Sequence, residues 1–295
     1  MQDASRLERR LLRAVSRAIE DFALIEEGDR ILVAVSGGKD SLGMLHLLQR
    51  LQERAPVGFA LTALNLDQGQ PGFPAGLLRR HFERVGVPHV MLQKDTYSIV
   101  KRLVPEGGTT CPVCSRLRRG ILYNAAVELG CNKIALGHHR DDLIETLLLS
   151  ALYSGALKSM PPKLRSDDGR NLVIRPLCYA AEEDLAAFAE AMAFPVIPCD
   201  LCGSQPNLRR KRVKRLIAEL SAENGAVKGN LLHALARVVP THLLDRGLLA
   251  RLGTAHGRDP WIDEEEGAGA CGAPAAVDEV AGSLAAALPR QTGEP

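Results

Sequence analysis

The alternation of apolar and polar positions along the chain predicts strands and helices that follow one another in turn. Short apolar runs predict strands at residues 31–35, 59–66, 88–93, 134–136 and 173–176. Apolar residues at helical spacing predict helices at residues 42–48, 74–85, 115–129, 141–153 and 181–193. Strands that alternate with helices are typical of an α/β fold with a doubly wound, mainly parallel sheet.

The two ends of the chain differ from this central pattern. Residues 5–22 have apolar positions at helical spacing and arginines between them, which predicts an N-terminal amphipathic helix, and Ser5 with Glu8 fits a capping box. After Trp261 an acidic run leads into a Gly-, Ala- and Pro-rich stretch without a sustained period, which favours disorder. We therefore predict a helix in residues 1–28, a catalytic domain with a basic helical C-terminal part in residues 29–253, and a largely disordered tail in residues 254–295.

Composition narrows the class of protein. The 295 residues are 46% hydrophobic with a net charge of only +2, which fits a globular protein with a substantial core. No apolar run is long enough to span a bilayer, and the charged N-terminus lacks the apolar centre of a signal peptide. We expect a cytoplasmic protein without a membrane partner, in which the seven cysteines are reduced, metal-bound or catalytic.

The segment Ser36–Gly37–Gly38–Lys39–Asp40–Ser41 lies between an apolar strand and a helix. Glycines allow close approach of the backbone to an anion, and a helix N-terminus carries partial positive charge, so this turn favours phosphate binding. It is not a Walker A loop, because its glycine spacing is different. A turn that only tightens strand–helix packing is the alternative, and Asp40 would then merely complement the helix dipole.

The cysteines form two pairs with the same spacing, Cys111/Cys114 and Cys199/Cys202. Two such pairs suit a four-thiolate zinc site or an iron–sulfur cluster, and a thioredoxin-type redox pair is a third reading. Spacing does not separate these. The remaining cysteines, at positions 131, 178 and 271, have no neighbour at ligand spacing and are expected to be apolar packing residues or an inert thiol of the tail.

Polar residues also follow two other predicted strands. Asp67 follows the strand at 59–66 and would contact a nucleotide or close its own loop. The segment Gly137–His138–His139–Arg140–Asp141–Asp142 follows the strand at 134–136. Asp141 is a candidate N-cap of the next helix. The two histidines could be metal ligands, but we expect them to hydrogen-bond within the loop.

These motifs occur in one order that resembles the tRNA 2-thiocytidine synthetase family (TtcA). The resemblance rests on Ser36–Ser41, Asn65–Gln68 with Pro71–Pro74, Cys111–Gly120, Gly137–Asp142 and Cys202–Leu208, and it extends from the N-terminal helix to about Arg251. The first of these also resembles the pyrophosphate loop of the wider ATP pyrophosphatase superfamily. The resemblance implies an adenine nucleotide alpha hydrolase-like (HUP-type) fold, and thiolation of C2 of cytidine 32 in the tRNA anticodon loop with ATP, Mg²⁺ and a [4Fe–4S] cluster.

The resemblance also implies roles for single residues. The implied ATP-binding residues are Ser36, Gly37, Gly38, Lys39, Asp40, Ser41, Asp67 and Gly137. The implied cluster ligands are Cys111, Cys114 and Cys202, with Cys199 as the alternative third ligand, and Asp40 is an implied Mg²⁺ ligand. The implied catalytic residues are Asp40, Asp142 and the three cluster cysteines.

Arginines next to the cysteine motifs complete the expected site. Clustered cations suit phosphate contacts on folded RNA, and the candidates for tRNA binding are Arg116, Arg118, Arg119, Arg209, Arg210 and Arg212. The other expected partners are a sulfur donor such as a cysteine desulfurase and, by resemblance, a second copy of the chain. A different adenylating tRNA-modifying enzyme, such as a 2-thiouridine synthetase, and a zinc-stabilised RNA-binding module remain the alternatives.

Overall fold

The computed structural model describes residues 2–103, 111–197 and 208–253, with backbone only at positions 2, 111 and 112. The chain divides into two compact units, Met1–Glu223 and Asn224–Pro295. The predicted tail at 254–295 lies outside the described residues, and the predicted domain boundaries stay predictions. Within the described ranges, no helix is long and apolar enough to cross a membrane.

The first unit contains a six-stranded sheet. Its strands are β1 (Asp29–Ala34), β2 (Phe59–Asp67), β3 (His89–Gln93), β4 (Lys133–Ala135), β5 (Lys163–Arg165) and β6 (Leu172–Ile174). Their spatial order is β3-β2-β1-β4-β6-β5, and every pairing is parallel except that of β5 with β6. The predicted doubly wound, mainly parallel α/β fold is therefore confirmed. Strand β5 was not predicted, because three residues with a lysine and an arginine at the ends carry no strand signal.

Helices surround this sheet. Those of the first unit are α1 (Gln2–Phe22), α2 (Lys39–Gln52), α3 (Ala75–Arg84), α4 (Thr96–Leu103), α5 (Cys111–Glu128), α6 (Arg140–Ser154), α7 (Glu182–Ala191) and α8 (Leu208–Glu223). The described part of the second unit has α9 (Val227–Ala236), a 3₁₀ turn (Pro240–His242) and α10 (Arg246–Leu252).

The predicted N-terminal helix is present, but its predicted cap is wrong. Helix α1 begins at Gln2, so Ser5 lies inside the helix rather than at its N-cap, and the carbonyl of Ser5 accepts a hydrogen bond from Arg9 Nε at 3.3 Å. The buried side of α1 includes Leu11, Val15 and Ala18, and it packs on α7 and α2. Its apolar spacing therefore fixed the helix but not its first residue.

The core lies on both faces of the central strands. Ile31, Leu32 and Val33 of β1 are fully buried, so this strand reads as a continuous apolar run rather than an alternating one. Helix α2 covers one face with Leu42 and Leu45 among its buried residues. This packing fixes the position of the start of α2 relative to the end of β1.

A buried ion pair lies at the opposite, amino end of the strands. Lys133, at the start of β4, is 1% exposed, and its Nζ lies 2.6 Å from Asp29 Oδ2 and 2.7 Å from Glu26 Oε2. Burial opposes ionisation of Asp29, but hydrogen bonds from Lys133 and from the Glu26 amide outweigh it and lower the pKa of that carboxyl. The cluster ties β1 to β4, the two strands whose other ends carry the site.

The sheet reverses its winding direction between β1 and β4. From β1 the chain continues through α2 to β2 on one side, whereas from β4 it continues through α6 to β5 and β6 on the other side. In open α/β sheets this switch point, at the carboxyl ends of the strands, is where ligands bind. The loops after β1 and β4 therefore face the same crevice.

Candidate active site

The loop between β1 and α2 has the conformation that an anion-binding turn requires. Gly37 has φ +90°, and Gly38 is the N-cap of α2 with an extended backbone. The Ser41 hydroxyl donates to the Gly38 carbonyl at 2.9 Å and accepts from the Ser36 amide at 3.2 Å, which closes the turn on itself. The amides at the start of α2 and the helix dipole then favour an anion above this turn.

The loop after β4 packs directly on this turn through Gly137. A Cβ added to Gly137 would lie 3.2 Å from the Ser41 amide nitrogen and 3.3 Å from the carbonyl carbon of Asp40. Only a glycine fits without a shift of the backbone. Gly137, a predicted ATP-binding residue, thus lies against the first turn of α2. The contact that the structure shows is with the backbone of that turn.

The segment before Cys199 also contacts the turn. The Ile197 amide donates to the Gly37 carbonyl at 2.9 Å, and a Cβ at Gly37 would lie 2.8 Å from Ile197 Cδ1. Cys199 and Cys202 themselves lie outside the described residues. Ile197 and Leu208, the first residue of α8, are the described residues on either side of these two cysteines.

The N-terminus of α6 brings two carboxylates to one histidine. His139 is the N-cap of α6, and its amide donates to Asp142 Oδ2 at 3.2 Å, so the predicted N-cap role of Asp141 is wrong. The Nε2 of His139 lies 3.5 Å from Asp142 Oδ2 and 3.9 Å from Asp40 Oδ1. The acids named from the two loops therefore meet at one imidazole.

His138 is held in its neutral form. Its burial, together with the charge of Arg175, lowers its pKa to about 4. A neutral imidazole beside the site leaves the crevice without an added positive charge at neutral pH. The Nδ1 atoms of His138 and His139 are buried without a hydrogen-bond partner among the described residues, so hydrogen bonding of these rings within the loop stays a prediction.

A pocket of about 410 Å³ lies above these loops. It is lined by Lys39, Asp40, His139, Asp142, Glu145, Glu182, Arg210, Lys211 and Lys214. Both acidic and basic side chains line it, and Lys39, Arg210 and Lys214 each form an ion pair with an acidic member of the lining.

The lysine of the glycine-rich turn is one such paired group. Lys39 Nζ lies 3.0 Å from both oxygens of Asp40 and 3.5 Å from Glu182 Oε1. Burial would lower the pKa of Lys39, but the charge of Asp40 and the contact with Glu182 outweigh it and raise the pKa. Lys39 is therefore a fixed positive charge over the N-terminus of α2.

Helix α8 contributes three further cations to the pocket, Arg210, Lys211 and Lys214, and two of them form ion pairs with acids of the lining. Lys214 Nζ lies 2.6 Å from Glu182 Oε2, and Arg210 lies 3.4 Å from Asp142 Oδ1 and 3.5 Å from Glu145 Oε2. Burial would raise the pKa of Glu182, but Lys214 and Lys39 outweigh it and lower that pKa. Glu145 is the opposite case, since its burial prevails over the charge of Arg210 and its pKa is raised.

Asp67 does not line this pocket. Its Oδ1 accepts a hydrogen bond from the Gly69 amide at 2.9 Å, which closes the loop after β2, the second of the two readings of that residue. The next residue, Gln68, has a different neighbour: its Oε1 accepts from Cys114 Sγ at 3.1 Å and from the Thr96 hydroxyl at 3.3 Å. The end of β2 thereby holds one of the candidate cluster cysteines.

Only part of the predicted cluster site can be located. Cys111 is the first residue of α5, Cys114 lies half-buried one turn later, and Cys202 lies outside the described residues. In the part of the chain that the structure describes, no group of three or more His, Cys, Asp or Glu side chains is arranged to hold a metal ion. Cys131 and Cys178 are buried in the core as expected, and burial raises the pKa of the Cys178 thiol to about 12.

The candidate RNA-binding arginines lie on two helices. Arg116 and Arg119 are exposed on α5, and Arg118 is half-buried there. On α8, Arg212 is exposed and Arg209 lies 5.0 Å above the ring of the exposed Tyr153. Arg116, Arg119 and Arg212 are therefore open to a ligand from solvent, whereas Arg210 is held in the pocket by Asp142 and Glu145.

Four lining residues were not singled out from the sequence: Glu145, Glu182, Lys211 and Lys214. Glu145 follows Asp142 by three positions and Lys214 follows Arg210 by four, and these spacings place each pair on one helix face. Glu182 is the first residue of α7 and gave no signal of its own, since acids are common in the first turn of a helix.

Comparisons of the sequence with known proteins show the family to which this chain belongs. The model of the PP-loop domain matches residues 5–220. A protein of Anaeromyxobacter sp. (strain K), named tRNA-cytidine(32) 2-sulfurtransferase, is 75% identical over 281 residues, 95% of this chain and 97% of its own length. A protein of the same name from Burkholderia lata is 58% identical over 244 residues, 83% of this chain and 74% of its own length.

A solved structure shares the fold at much lower sequence identity. The U34-tRNA thiolase NcsA from Methanococcus maripaludis, solved with its [4Fe-4S] cluster, superposes with a TM-score of 0.64 at 19% identity, covering 81% of this chain and 80% of that one. This chain therefore shares its fold with that protein.

Proposed function

Because this chain belongs to the tRNA-cytidine(32) 2-sulfurtransferase family of PP-loop proteins, we propose that it thiolates C2 of cytidine 32 in the tRNA anticodon loop at the expense of ATP. The observation that carries the proposal is the meeting of the Ser36–Ser41 turn with the Gly137–Asp142 loop at the switch point of the sheet. A phosphate-binding turn and paired carboxylates in one crevice suit chemistry on a nucleotide phosphate.

The first proposed step activates the C2 oxygen. That oxygen attacks the α-phosphorus of ATP, the bond between the α- and β-phosphates breaks, and pyrophosphate leaves. The amides of Ser36–Ser41 and the ammonium of Lys39 would bind the departing phosphates and stabilise their charge. Sulfide then attacks C2, the C2–O bond breaks, and AMP leaves.

The carboxylates fit a magnesium ion shared with the nucleotide. Mg²⁺ in nucleotide sites typically takes one or two protein carboxylates, phosphate oxygens and waters, so a cage of three protein ligands is not needed. Asp40 is the proposed Mg²⁺ ligand, and Asp142, which faces the same imidazole, is the proposed second catalytic carboxylate. His139 would keep both side chains oriented toward the phosphates.

The described part of the cysteine motifs fits an iron–sulfur cluster. Cys114 is a half-buried thiol within one helical turn of Cys111, which matches thiolate ligation from one helix. Cys202 and the alternative ligand Cys199 follow Ile197 in the sequence, and the Ile197 amide donates to the Gly37 carbonyl. We propose Cys111, Cys114 and Cys202 as the ligands; when bound, a cluster with three thiolates supplies one iron open to sulfide.

The outward arginines would bind the tRNA. Arg116, Arg118 and Arg119 follow the cysteines on α5, and Arg209 and Arg212 lie on α8 beside the pocket. Unpaired anticodon-loop bases can be splayed out toward a site between such surfaces. With a tRNA substrate, we propose that the enzyme works in the cytoplasm and that a sulfur donor such as a cysteine desulfurase supplies it. A homodimer is also our prediction.

Transfer of radiolabel tests the adenylation step. The protein is incubated with Mg²⁺, tRNA and ATP labelled at the α- or the γ-phosphate, without sulfide. We expect α-label on the tRNA, no γ-label, and no labelling of a transcript with uridine at position 32. Equal labelling of the uridine transcript would favour a 2-thiouridine synthetase, and the absence of α-label would contradict adenylation.

The cluster assignment is tested on protein purified without oxygen. We expect roughly four iron and four sulfide per chain, as for one cubane cluster, with loss of both in Cys202→Ala. The matched control is Cys131→Ala, which removes a core thiol away from the pocket. A colourless protein that holds zinc would instead support the zinc-stabilised RNA-binding module.

A further inference from the structure

The basic start of α8 has two sides with different surroundings. Val213 and Ile217 are buried and anchor the helix. Arg210, Lys211 and Lys214 line the pocket, and the side chains of both lysines are also partly open to solvent, whereas Arg209 and Arg212 are exposed and do not line it. The basic segment, continuous in sequence, therefore places some of its cations at the pocket and others on the outer side of the helix.

The inward cations contact acids that surround the phosphate-binding turn. Arg210 reaches Asp142 and Glu145 at 3.4 and 3.5 Å, distances at the long end for a charged hydrogen bond. Lys214 shares the carboxylate of Glu182 with Lys39: Nζ of Lys214 lies 2.6 Å from one oxygen and Nζ of Lys39 lies 3.5 Å from the other. A phosphate that contacts Lys39 is thus within reach of Lys214.

Charge balance explains why the pocket needs these side chains. Within the Ser36–Ser41 turn, Lys39 is the one cationic side chain, and the pocket wall carries the carboxylates of Asp40, Asp142, Glu145 and Glu182. A polyphosphate entering beside four carboxylates is repelled unless cations accompany it. Arg210 and Lys214 bring two positive charges to this wall, next to the carboxylates of Asp142, Glu145 and Glu182, and these charges offset the repulsion of an entering phosphate.

We propose that Arg210 and Lys214 bind the triphosphate of the nucleotide, so that α8 forms a wall of the ATP site with its inner side and is left to bind RNA with its outer side. The proposal rests on the ATP-dependent function above, and it moves Arg210 from the set of RNA contacts to the set of nucleotide contacts. RNA phosphates are the competing ligand. The pocket position and the carboxylate shared with Lys39 favour the nucleotide.

Binding measurements on single variants test this assignment. The affinities for MgATP, a non-hydrolysable MgATP analogue and AMP are measured by calorimetry without RNA, and the affinity for tRNA is measured without nucleotide. Arg210→Gln and Lys214→Gln are each expected to weaken ATP and analogue binding by about tenfold or more, as for loss of a charge-assisted hydrogen bond. AMP and tRNA affinities are expected to change by less than about twofold, well below that tenfold step.

The matched control is Arg212→Gln, on the outer side of the same helix. It is expected to weaken tRNA binding and its salt dependence while ATP affinity stays unchanged. If either inner variant unfolds, the wild-type protein supplies the test: MgATP, but not AMP, is expected to slow acetylation of Lys214 in a mass-spectrometric time course, and equal acetylation with and without MgATP would overturn the assignment.

The outcomes separate this proposal from the proposed function. Wild-type ATP affinity in both inner variants, an equal loss of AMP binding, or a loss confined to tRNA would overturn the assignment while leaving ATP-dependent thiolation intact. A wild-type protein that does not bind ATP would overturn both.

Discussion

An alanine at Gly137 would disturb ATP binding, because this residue is where the two loops of the site touch. Its added Cβ would lie 3.2 Å from the amide nitrogen of Ser41 and 3.3 Å from its Cα. These are backbone atoms of the first turn of α2, which cannot rotate away as the end of a side chain can. Overpacking of this kind costs about 1–3 kcal/mol. If the turn shifts to relieve it, we expect the Kd for MgATP to rise roughly 5- to 150-fold, the equivalent of that cost.

The cost can appear as weaker ATP binding or as lower stability. Calorimetry with MgATP measures the first, and urea unfolding measures the second. Gly229→Ala is the control, because α9 leaves open space around its added methyl group and ATP affinity should not change. We expect this control to stabilise α9 by at most about 1 kcal/mol, the difference between glycine and alanine in a helix. A Gly137→Ala protein with wild-type ATP affinity and wild-type unfolding free energy would refute the argument.

Three further predictions concern the scaffold and its ionisable groups. Lys133→Met leaves a buried carboxylate uncompensated and should lower the unfolding free energy in urea by about 3–5 kcal/mol; Lys163→Met, at the edge of the same cluster, should cost less than about 1 kcal/mol, and equal losses would contradict this. Because the pKa of His138 falls from 6.5 unfolded to about 4 folded, only the unfolded state binds a proton between these values. Stability should therefore fall by about 3 kcal/mol as the pH drops through that window, and His138→Gln should remove this part of a pH-stability profile. Finally, mass-spectrometric mapping of alkylated apo protein near neutral pH should find Cys114 modified and Cys178 protected until unfolding, because burial raises the pKa of Cys178 to about 12; early labelling of Cys178 would count against the structure.

The glycine-rich turn after β1 and the loop after β4 could be predicted because their signals are local in the sequence. The apolar run of β1, the glycines that follow it and the helix after them are adjacent in sequence, so their order alone predicts an anion-binding turn. Gly37, with φ +90°, shows that the turn needs the residue type found there. The loop after β4 could be placed at the same edge because parallel strands end together.

The rest of the site depends on contacts between distant segments. Glu182 reaches Lys39 across 143 positions and Arg210 reaches Asp142 across 68, and no local pattern encodes such pairs. The basic run at the start of α8 could be recognised, but which of its members face the pocket follows from the burial of Val213 and Ile217. Strand β5 escaped prediction for a related reason, since three residues form it only by pairing with β6.

Mass spectrometry of nucleosides from tRNA treated with the reconstituted protein tests the central claim most directly. The protein, reconstituted without oxygen, is incubated with sulfide and a tRNA bearing cytidine at position 32, with and without MgATP. The account predicts 2-thiocytidine at that position only when MgATP is present. Absence of 2-thiocytidine from a complete reaction, or its formation without ATP, would contradict the account.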